Sequence, residues 1–341
     1  MTEISVEDLL TLATNALTGQ GFDTESAIEI AREFVVADLA GVRTHGVGKL
    51  LSMNFGDLTV EPLLQSQGAV IKCDGQGGSG FKTLQKLSRA VNDACSVHGA
   101  VVGLARNFSR YSSLYPYTSQ IAARGYVAIL MNTAGPAAVA PFGGVDPITG
   151  TNPLCFSFPT GDGTIQTFDL ATSAVVWGDI RQASLEGRGV RADAFLNAAG
   201  DETTIPGEVN AVRAFGGAKG WTINLAIEIL AGLLTGAKAG LDVSTEFDCG
   251  AMLIAIDPAA GLLDVASFKN GVRRLLDDVR QSRPDSTTGK LHCPGDRGRS
   301  TVRVQDRVKD IVSVASTSIN LLKRMASGEK ISELAANPLF N

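Results

Sequence analysis

The hydrophobic period changes twice along this chain, and that change limits the fold more than any other feature. Near the N-terminus apolar residues recur at helical spacing: Leu9, Leu10, Ala13, Ala16 and Leu17 follow a Ser5/Asp8 cap signal and stop at Gly19 and Gly21. A second helix is predicted from Asp23 or Thr24 to Gly41, with Ile28, Ala31, Phe34, Val35, Asp38 and Leu39 near one stripe. A third begins after Arg43-Thr44-His45, and a short strand over 69–73 leads through a glycine cluster into a helix over 83–98. The middle switches to short β-branched or apolar runs at 100–104, 126–131, 154–158, 165–170 and 252–256, each bounded by Gly, Pro, Asn or Asp. One long apolar helix, 221–234, interrupts them. After a polar loop to Ser300, helical spacing returns in Val304, Val308, Ile311, Val312, Ile319 and Leu322. Helical ends around a β-rich centre predict an α/β protein in which a sheet-rich domain, 100–299, is inserted into a helical domain made of 1–99 and 300–341.

A chain of 341 residues is long enough for two such lobes and needs no metal or disulfide for stability. With 30 Lys+Arg against 35 Asp+Glu the net charge is −5, so no basic excess exists to neutralise a phosphate backbone, and nucleic acid is not an expected partner. No apolar run approaches the roughly 20 residues that span a bilayer, and Met1-Thr2-Glu3-Ile4 is no signal core. A soluble, cytoplasmic protein is expected. Five scattered cysteines form no Cys-x-x-Cys pair and read as reduced, mostly buried thiols. Only three histidines occur, His45, His98 and His292, too few and too dispersed for a two-histidine metal site.

Three segments carry candidate chemistry. Gly75-Gln76-Gly77-Gly78-Ser79-Gly80 has the spacing of a dinucleotide fingerprint between strand and helix, but no acidic residue about 20 positions on is there to hold a ribose. Arg106 could meet a 2′-phosphate instead; the simpler reading is a turn that caps a helix. Phe215-Gly216-Gly217-Ala218-Lys219-Gly220-Trp221 opens the long apolar helix, so free amides, the positive dipole end and one ammonium converge there, as anion binding requires. In 38–49 an imidazole, His45, lies among the cations Arg43 and Lys49 and beside the Thr44 hydroxyl, an environment that favours the neutral ring unless a carboxylate comes from elsewhere.

The run 38–49, Gly150-Thr151-Asn152-Pro153-Leu154, Phe168-Asp169-Leu170-Ala171-Thr172-Ser173 and Gly216-Gly217-Ala218-Lys219-Gly220 resemble, in order and spacing, the malate/L-lactate/L-sulfolactate dehydrogenase-like NAD(P)-dependent oxidoreductases. The resemblance spans residues 5–325 and implies a malate/L-lactate dehydrogenase-like fold, in which a sheet-rich, non-Rossmann domain binds NAD(P). Ser112-Ser113-Leu114-Tyr115-Pro116 and Gly178-Asp179 are similar to the branch that reduces cyclic ketimines, the Δ1-piperideine-2-carboxylate and Δ1-pyrroline-2-carboxylate reductases.

Carried over residue by residue, the resemblance implies His45 as proton donor, oriented by Asp179 and Thr44. It places Lys49 or Arg43 on the substrate carboxylate and Thr151 against the substrate. It implies cofactor contacts from Arg110, Tyr111, Ser112, Ser113 and Leu114, from Asp169, Leu170, Ala171, Thr172 and Ser173, and from Ala218 and Lys219. Pro294, Gly295, Asp296, Arg297 and Arg299 complete that set, the last two as 2′-phosphate partners. Three positions depart from the family pattern: Lys49 replaces an arginine, losing its bidentate fork, Arg110 replaces a histidine, and Met53 stands where many members have tyrosine. The implied activity is NADPH-dependent reduction of a small 2-imino carboxylic acid by a homodimer, with NADH as the alternative coenzyme. A 2-hydroxyacid dehydrogenase of the malate, lactate or sulfolactate kind is the other enzymatic reading, and a coenzyme-binding protein without turnover a third.

Overall fold

The computed structural model describes residues 1–42, 45–185, 187–287, 289, 291–296 and 307–331. A strand, β1 (Thr2–Ser5), leads into α1 (Val6–Gln20). Ser5 caps α1 by accepting from the Asp8 amide at 3.1 Å, and Gly21, at φ 114°, ends it in the left-handed region. Asp23 caps α2 (Thr24–Leu39) in the same way, accepting from the Ser26 amide at 2.9 Å. The apolar stripes of both helices (Leu9, Ala13 and Leu17; Ile30 and Phe34) bury together with Val47 and Leu50 of the short α3 (Val47–Leu50) and Leu322 of α9 (Ser316–Ala326).

The two chain ends meet here. β11 (Ile311–Val314) pairs antiparallel with β1, and α9 packs on α1. This corrects the sequence reading of Ile311 and Val312 as helical: exposure alternates along 311–314, the period of a strand, and the partner that makes it one is supplied by residues 2–5. Val304 lies outside the described residues.

Between these ends stand β2 (Leu63–Gln67), β3 (Val70–Gly78), β4 (Ala100–Phe108), β5 (Val127–Asn132), β6 (Leu154–Pro159), β7 (Ile165–Leu170) and β10 (Gly250–Ile256). They form a seven-stranded sheet in the order β2-β3-β4-β10-β5-β6-β7, parallel only between β3 and β4. A doubly wound dinucleotide fold is parallel throughout, so this sheet is of another kind. It begins before residue 100, because β2 and β3 join β4 across the expected domain boundary. The helices α4 (Gly80–His98) and α5 (Tyr115–Ala123) pack against it, and α8 (Val265–Gln281), which the sequence reading did not foresee, lies beside β6. A smaller lobe holds α6 (Trp177–Leu185), the ribbon β8 (Phe195–Leu196) with β9 (Ala211–Val212), and α7 (Ala218–Ile227). Its own apolar cluster includes Val139, Ala183, Phe195 and Val212.

The glycine run at 75–80 serves packing. A Cβ on Gly75 would sit 2.7 Å from the Asn107 carbonyl oxygen. The Gly80 amide donates to Ser109 Oγ at 3.1 Å, and the Ser109 amide donates to the Gly78 carbonyl at 2.9 Å. The chain at 107–109 therefore packs directly against the glycine run. Arg106 is paired with Asp74, Nε to Oδ2 at 3.0 Å.

Candidate active site

Strand register gathers the expected site segments at one end of the sheet. Arg106 of β4 stands opposite Gly250, Asn132 of β5 opposite Ala251, Met131 opposite Leu154, and Leu154 opposite Leu170. The segments continuing past those residues are 109–114, 133–135, 149–153 and 171–173, which hold Thr151 and eight of the residues assigned to the coenzyme, 110–114 and 171–173. The segment after α3 reaches the same end, where Asp57 bridges Gly78 of β3.

A buried polar network ties two of the four family-like blocks, 150–154 and 168–173, to the helix that a third block opens. Asn152, wholly buried and at φ 34°, donates from Nδ2 to Glu228 Oε2 at 2.6 Å and to the Asn224 carbonyl at 3.2 Å. Asn224 Nδ2 donates to the Gly150 carbonyl at 2.9 Å and to Thr172 Oγ1 at 2.8 Å, while Thr149 Oγ1 donates to Asn224 Oδ1 at 2.6 Å. Thr172 in turn donates through both its amide and its hydroxyl to the Thr151 carbonyl, each at 3.0 Å. The Gly240 amide closes the network on Glu228 Oε1 at 2.6 Å. Glu228 opens a π-helical turn, Glu228–Gly232, that continues α7; such turns recur at functional sites. Sequence reasoning missed Asn224 and Glu228. Their signal was present: two polar residues four apart in an otherwise apolar helix share one face, here the inward one.

His45 sits half-buried in a turn whose amide donates to the Val42 carbonyl at 3.0 Å. Asp38, at the end of α2, accepts from the Val47 amide at 2.8 Å, and a Cβ on Gly46 would overlap its carboxylate. The backbone on both sides of His45 is therefore held, by the Val42 carbonyl before it and the Asp38 carboxylate after it. α2 lies beside the start of α4, where the Phe34 and Phe81 rings stand 6.4 Å apart. Burial holds the Tyr117 phenol well above its usual range, reinforced by the Glu33 carboxylate of α2. About 9 Å of helix rise separates Glu33 from the C-terminus of α2. Lys49 is half-buried on α3, and Asp179 is half-buried in the first turn of α6, its amide donating to the Val176 carbonyl at 3.0 Å. Arg43, Thr44, Arg297 and Arg299 lie outside the described residues.

The remaining assigned residues divide by exposure. Asp169 accepts from the Tyr115 amide at 3.2 Å, so its carboxylate stands at the start of α5. Tyr111, Ser113 and Leu114 are buried, with the Tyr111 ring edge-on to Tyr117, so a ligand meets their main chain rather than their side chains. Ser112 is half-buried, as are Leu170's neighbours Asp169 and Ala171, whereas Thr172 and Ser173 are buried. Arg110 is exposed and lies over Gly135, where a Cβ would meet Nη2 at 2.5 Å. Ala218 and Lys219 are exposed at the start of α7, which no side chain caps. Pro294, Gly295 and Asp296 form a turn against β7.

Thiol chemistry is absent from this arrangement. All five cysteines are free and buried, and burial pushes Cys73 up to about 12 and Cys95 and Cys249 to about 11, so these remain protonated at neutral pH. A cavity of ≈ 50 Å³ between the β6–β7 hairpin and α8, lined by Asp162, Gln166, Arg273, Asp277 and Arg280 among others, has room for water and not for a dinucleotide.

The seven-stranded sheet is mixed, with one parallel pair, and so is not the parallel sheet of a doubly wound dinucleotide fold. The sequence profile of the malate/L-lactate dehydrogenases matches residues 4–322, and the chain belongs to that family. A Delta(1)-pyrroline-2-carboxylate reductase of Burkholderia ambifaria is 31% identical over 278 residues, 76% of this chain and 81% of that protein. A malate/(S)-sulfolactate dehydrogenase of Methanothermus fervidus is 29% identical over 95% of this chain and 97% of that one. The solved delta1-piperideine-2-carboxylate reductase of Pseudomonas syringae pv. tomato superposes with a TM-score of 0.81 at 25% identity, covering 95% of this chain and all of that one. The chain is thus an NAD(P)-dependent oxidoreductase acting on a small molecule.

Proposed function

We propose that this oxidoreductase is an NADPH-dependent reductase of a small cyclic 2-imino carboxylic acid, working as a cytoplasmic homodimer. The observation that carries the reading is the His45 turn, fastened by Asp38 on the segment that runs to the sheet end where the coenzyme segments converge. The first turn of α7 fits a pyrophosphate: its amides have no side-chain cap, Gly216 and Gly217 have positive φ, and Lys219 is exposed beside them. When bound, the nicotinamide supplies the hydride that the imine carbon takes up. His45, oriented by Asp179 and Thr44, gives a proton to the imine nitrogen, so that C=N becomes CH–NH. Lys49, or Arg43, holds the carboxylate, and Thr151 lines the substrate side on a loop that Thr172 and Asn152 fix in place.

Ser112-Ser113-Leu114-Tyr115-Pro116, Gly178-Asp179 and the Burkholderia ambifaria relative favour the imine. The fuller coverage of the Methanothermus fervidus relative favours the second reading, a 2-hydroxyacid dehydrogenase. A substrate panel read at the absorbance of reduced coenzyme separates them. Cyclic imine acids should consume NADPH, and a panel in which only hydroxyacids with NAD(P)+ give a signal sinks the first reading.

The homodimer is supported by the outer face of α7 and its continuation. Asn224, Ile227, Glu228 and Ala231 turn inward, while Ile223, Leu225, Ile229, Leu233 (61% exposed) and Leu234 (55%) face out. An apolar row of this kind is what a second copy would cover.

Titrations and kinetics on single-residue variants test these assignments. Lys219→Ala should raise the coenzyme dissociation constant several-fold, less so at high salt, because its ammonium would lie beside phosphate. Gly77→Ala, at φ 76°, should cost folding stability and leave coenzyme affinity alone. Lys49→Ala should raise KM for a carboxylate substrate about ten-fold or more with little change in kcat, the pattern of lost uniform binding. If Lys49→Ala changes neither constant while Arg43→Ala abolishes binding, Arg43 is the anchor.

A further inference from the structure

The turn 293–296 is held more firmly than a surface loop requires. Its chain closes with the Asp296 amide donating to the Cys293 carbonyl at 3.2 Å, over a buried Cys293. The buried Gln166 of β7 donates to the Pro294 carbonyl, and Gly295 (φ 89°) presses so closely that a Cβ would sit 2.5 Å from both Gln166 Nε2 and the Thr167 carbonyl oxygen. Arg280, in the last turn of α8, grips Asp296 with a fork, Nε to Oδ2 at 2.9 Å and Nη2 to Oδ1 at 2.7 Å. Its other contacts are Asp277 Oδ1 at 3.1 Å and Gln166 Oε1 at 3.3 Å. The Asp296 charge is thereby paired through both of its oxygens. The same strand carries Asp169 three residues beyond Gln166, about 10 Å along at strand rise.

A carboxylate at the ribose end of a dinucleotide site has a known physical effect. Left free, it accepts from a ribose 2′-hydroxyl and repels a 2′-phosphate. We propose that Arg280 sets the coenzyme preference, by sequestering the Asp296 carboxylate so that a 2′-phosphate is tolerated beside the turn. The inference rests on the reading that Pro294, Gly295 and Asp296 border the coenzyme. Arg280 acts through Asp296, as a positioning residue.

The test is titration of NADPH and of NADH into wild type, Arg280→Gln, Asp296→Asn and the double variant, with dissociation constants measured by calorimetry. Arg280→Gln should weaken NADPH about ten-fold or more, the effect of bringing like charges together, while NADH holds or tightens. The double variant should return the NADPH/NADH ratio toward wild type, because the exposed charge is gone. Arg280→Lys keeps the charge and loses the fork, and should fall between; it also serves if Arg280→Gln folds poorly. Equal weakening of both coenzymes by Arg280→Gln, or an Asp296→Asn variant that behaves like it, would mean the pair is only an anchor and overturns the inference. Hydrogen exchange separates the underlying reading: NADPH should slow the Gly295 and Asp296 amides of the wild type. If it does not, the turn does not border the coenzyme and both statements fail together.

Discussion

Turnover of the His45→Ala variant is expected to fall about 10²–10⁴-fold, the range for loss of a general acid, with coenzyme affinity close to that of the wild type. The hydrogen bond that forms the turn runs from the residue 45 amide to the Val42 carbonyl, and Asp38 holds the Val47 amide, so neither depends on the imidazole. Hydride acceptance at the imine carbon needs a proton at nitrogen in the same event, and water in place of the ring delivers it without fixed geometry. The loss should therefore appear in kcat and in kcat/KM alike, with partial recovery in added imidazole. His98 ends α4 and His292 stands in a loop; both are exposed, and their alanine variants should keep activity within a few-fold. A crippled His292→Ala beside an active His45→Ala would make His292 the proton donor and overturn the assignment.

What the sequence revealed of this fold follows the range of the interactions involved. α1 and α2 were legible because their caps, Ser5 with Asp8 and Asp23 with Ser26, and the left-handed Gly21 are local devices written within a few residues. β11 was misread because four residues of alternating exposure look helical or extended until β1 arrives from the far end of the chain. α8 was missed although Val265, Phe268, Val272, Leu276 and Val279 recur at helical spacing; among them only Leu276 is buried, and charged residues interrupt the run in sequence. Its Asp264 cap, accepting from the Ser267 amide at 2.9 Å, was a second signal. The site shows the same division. His45 and the glycine turn before Lys219 stand out as motifs, whereas the support given by Asp38, Asn224 and Glu228 depends on packing between elements far apart in sequence.

One of those supports is Glu228, and Glu228→Gln is expected to cost about 2–4 kcal/mol of folding stability, a large share of the roughly 5–15 kcal/mol that holds a typical domain folded. The two side chains have one shape and differ in what their ends offer. Glu228 presents two acceptors, Oε2 to Asn152 Nδ2 and Oε1 to the Gly240 amide, each at 2.6 Å, in a place only 5% exposed. Glutamine must turn an NH₂ toward one of these donors, leaving two buried donors face to face without solvent to separate them. If the clash falls on Asn152, the loss reaches function. Asn152 holds a left-handed φ of 34° between Thr151 and Pro153, and its carbonyl accepts from Thr172 at 2.9 Å, so slackening there frees both the substrate loop and the 171–173 segment. Urea melts should show the lowered midpoint, and kcat/KM should fall at temperatures where the variant is still folded. A double-mutant cycle with Asn152→Ala should give a coupling of about 1 kcal/mol or more. Thr222→Ala, on the exposed side of the same helix, should change neither. Wild-type melting and kinetics in Glu228→Gln would show that the network is not what fixes the Thr151 loop, and the source of that loop's geometry would then have to be sought in Thr172 alone.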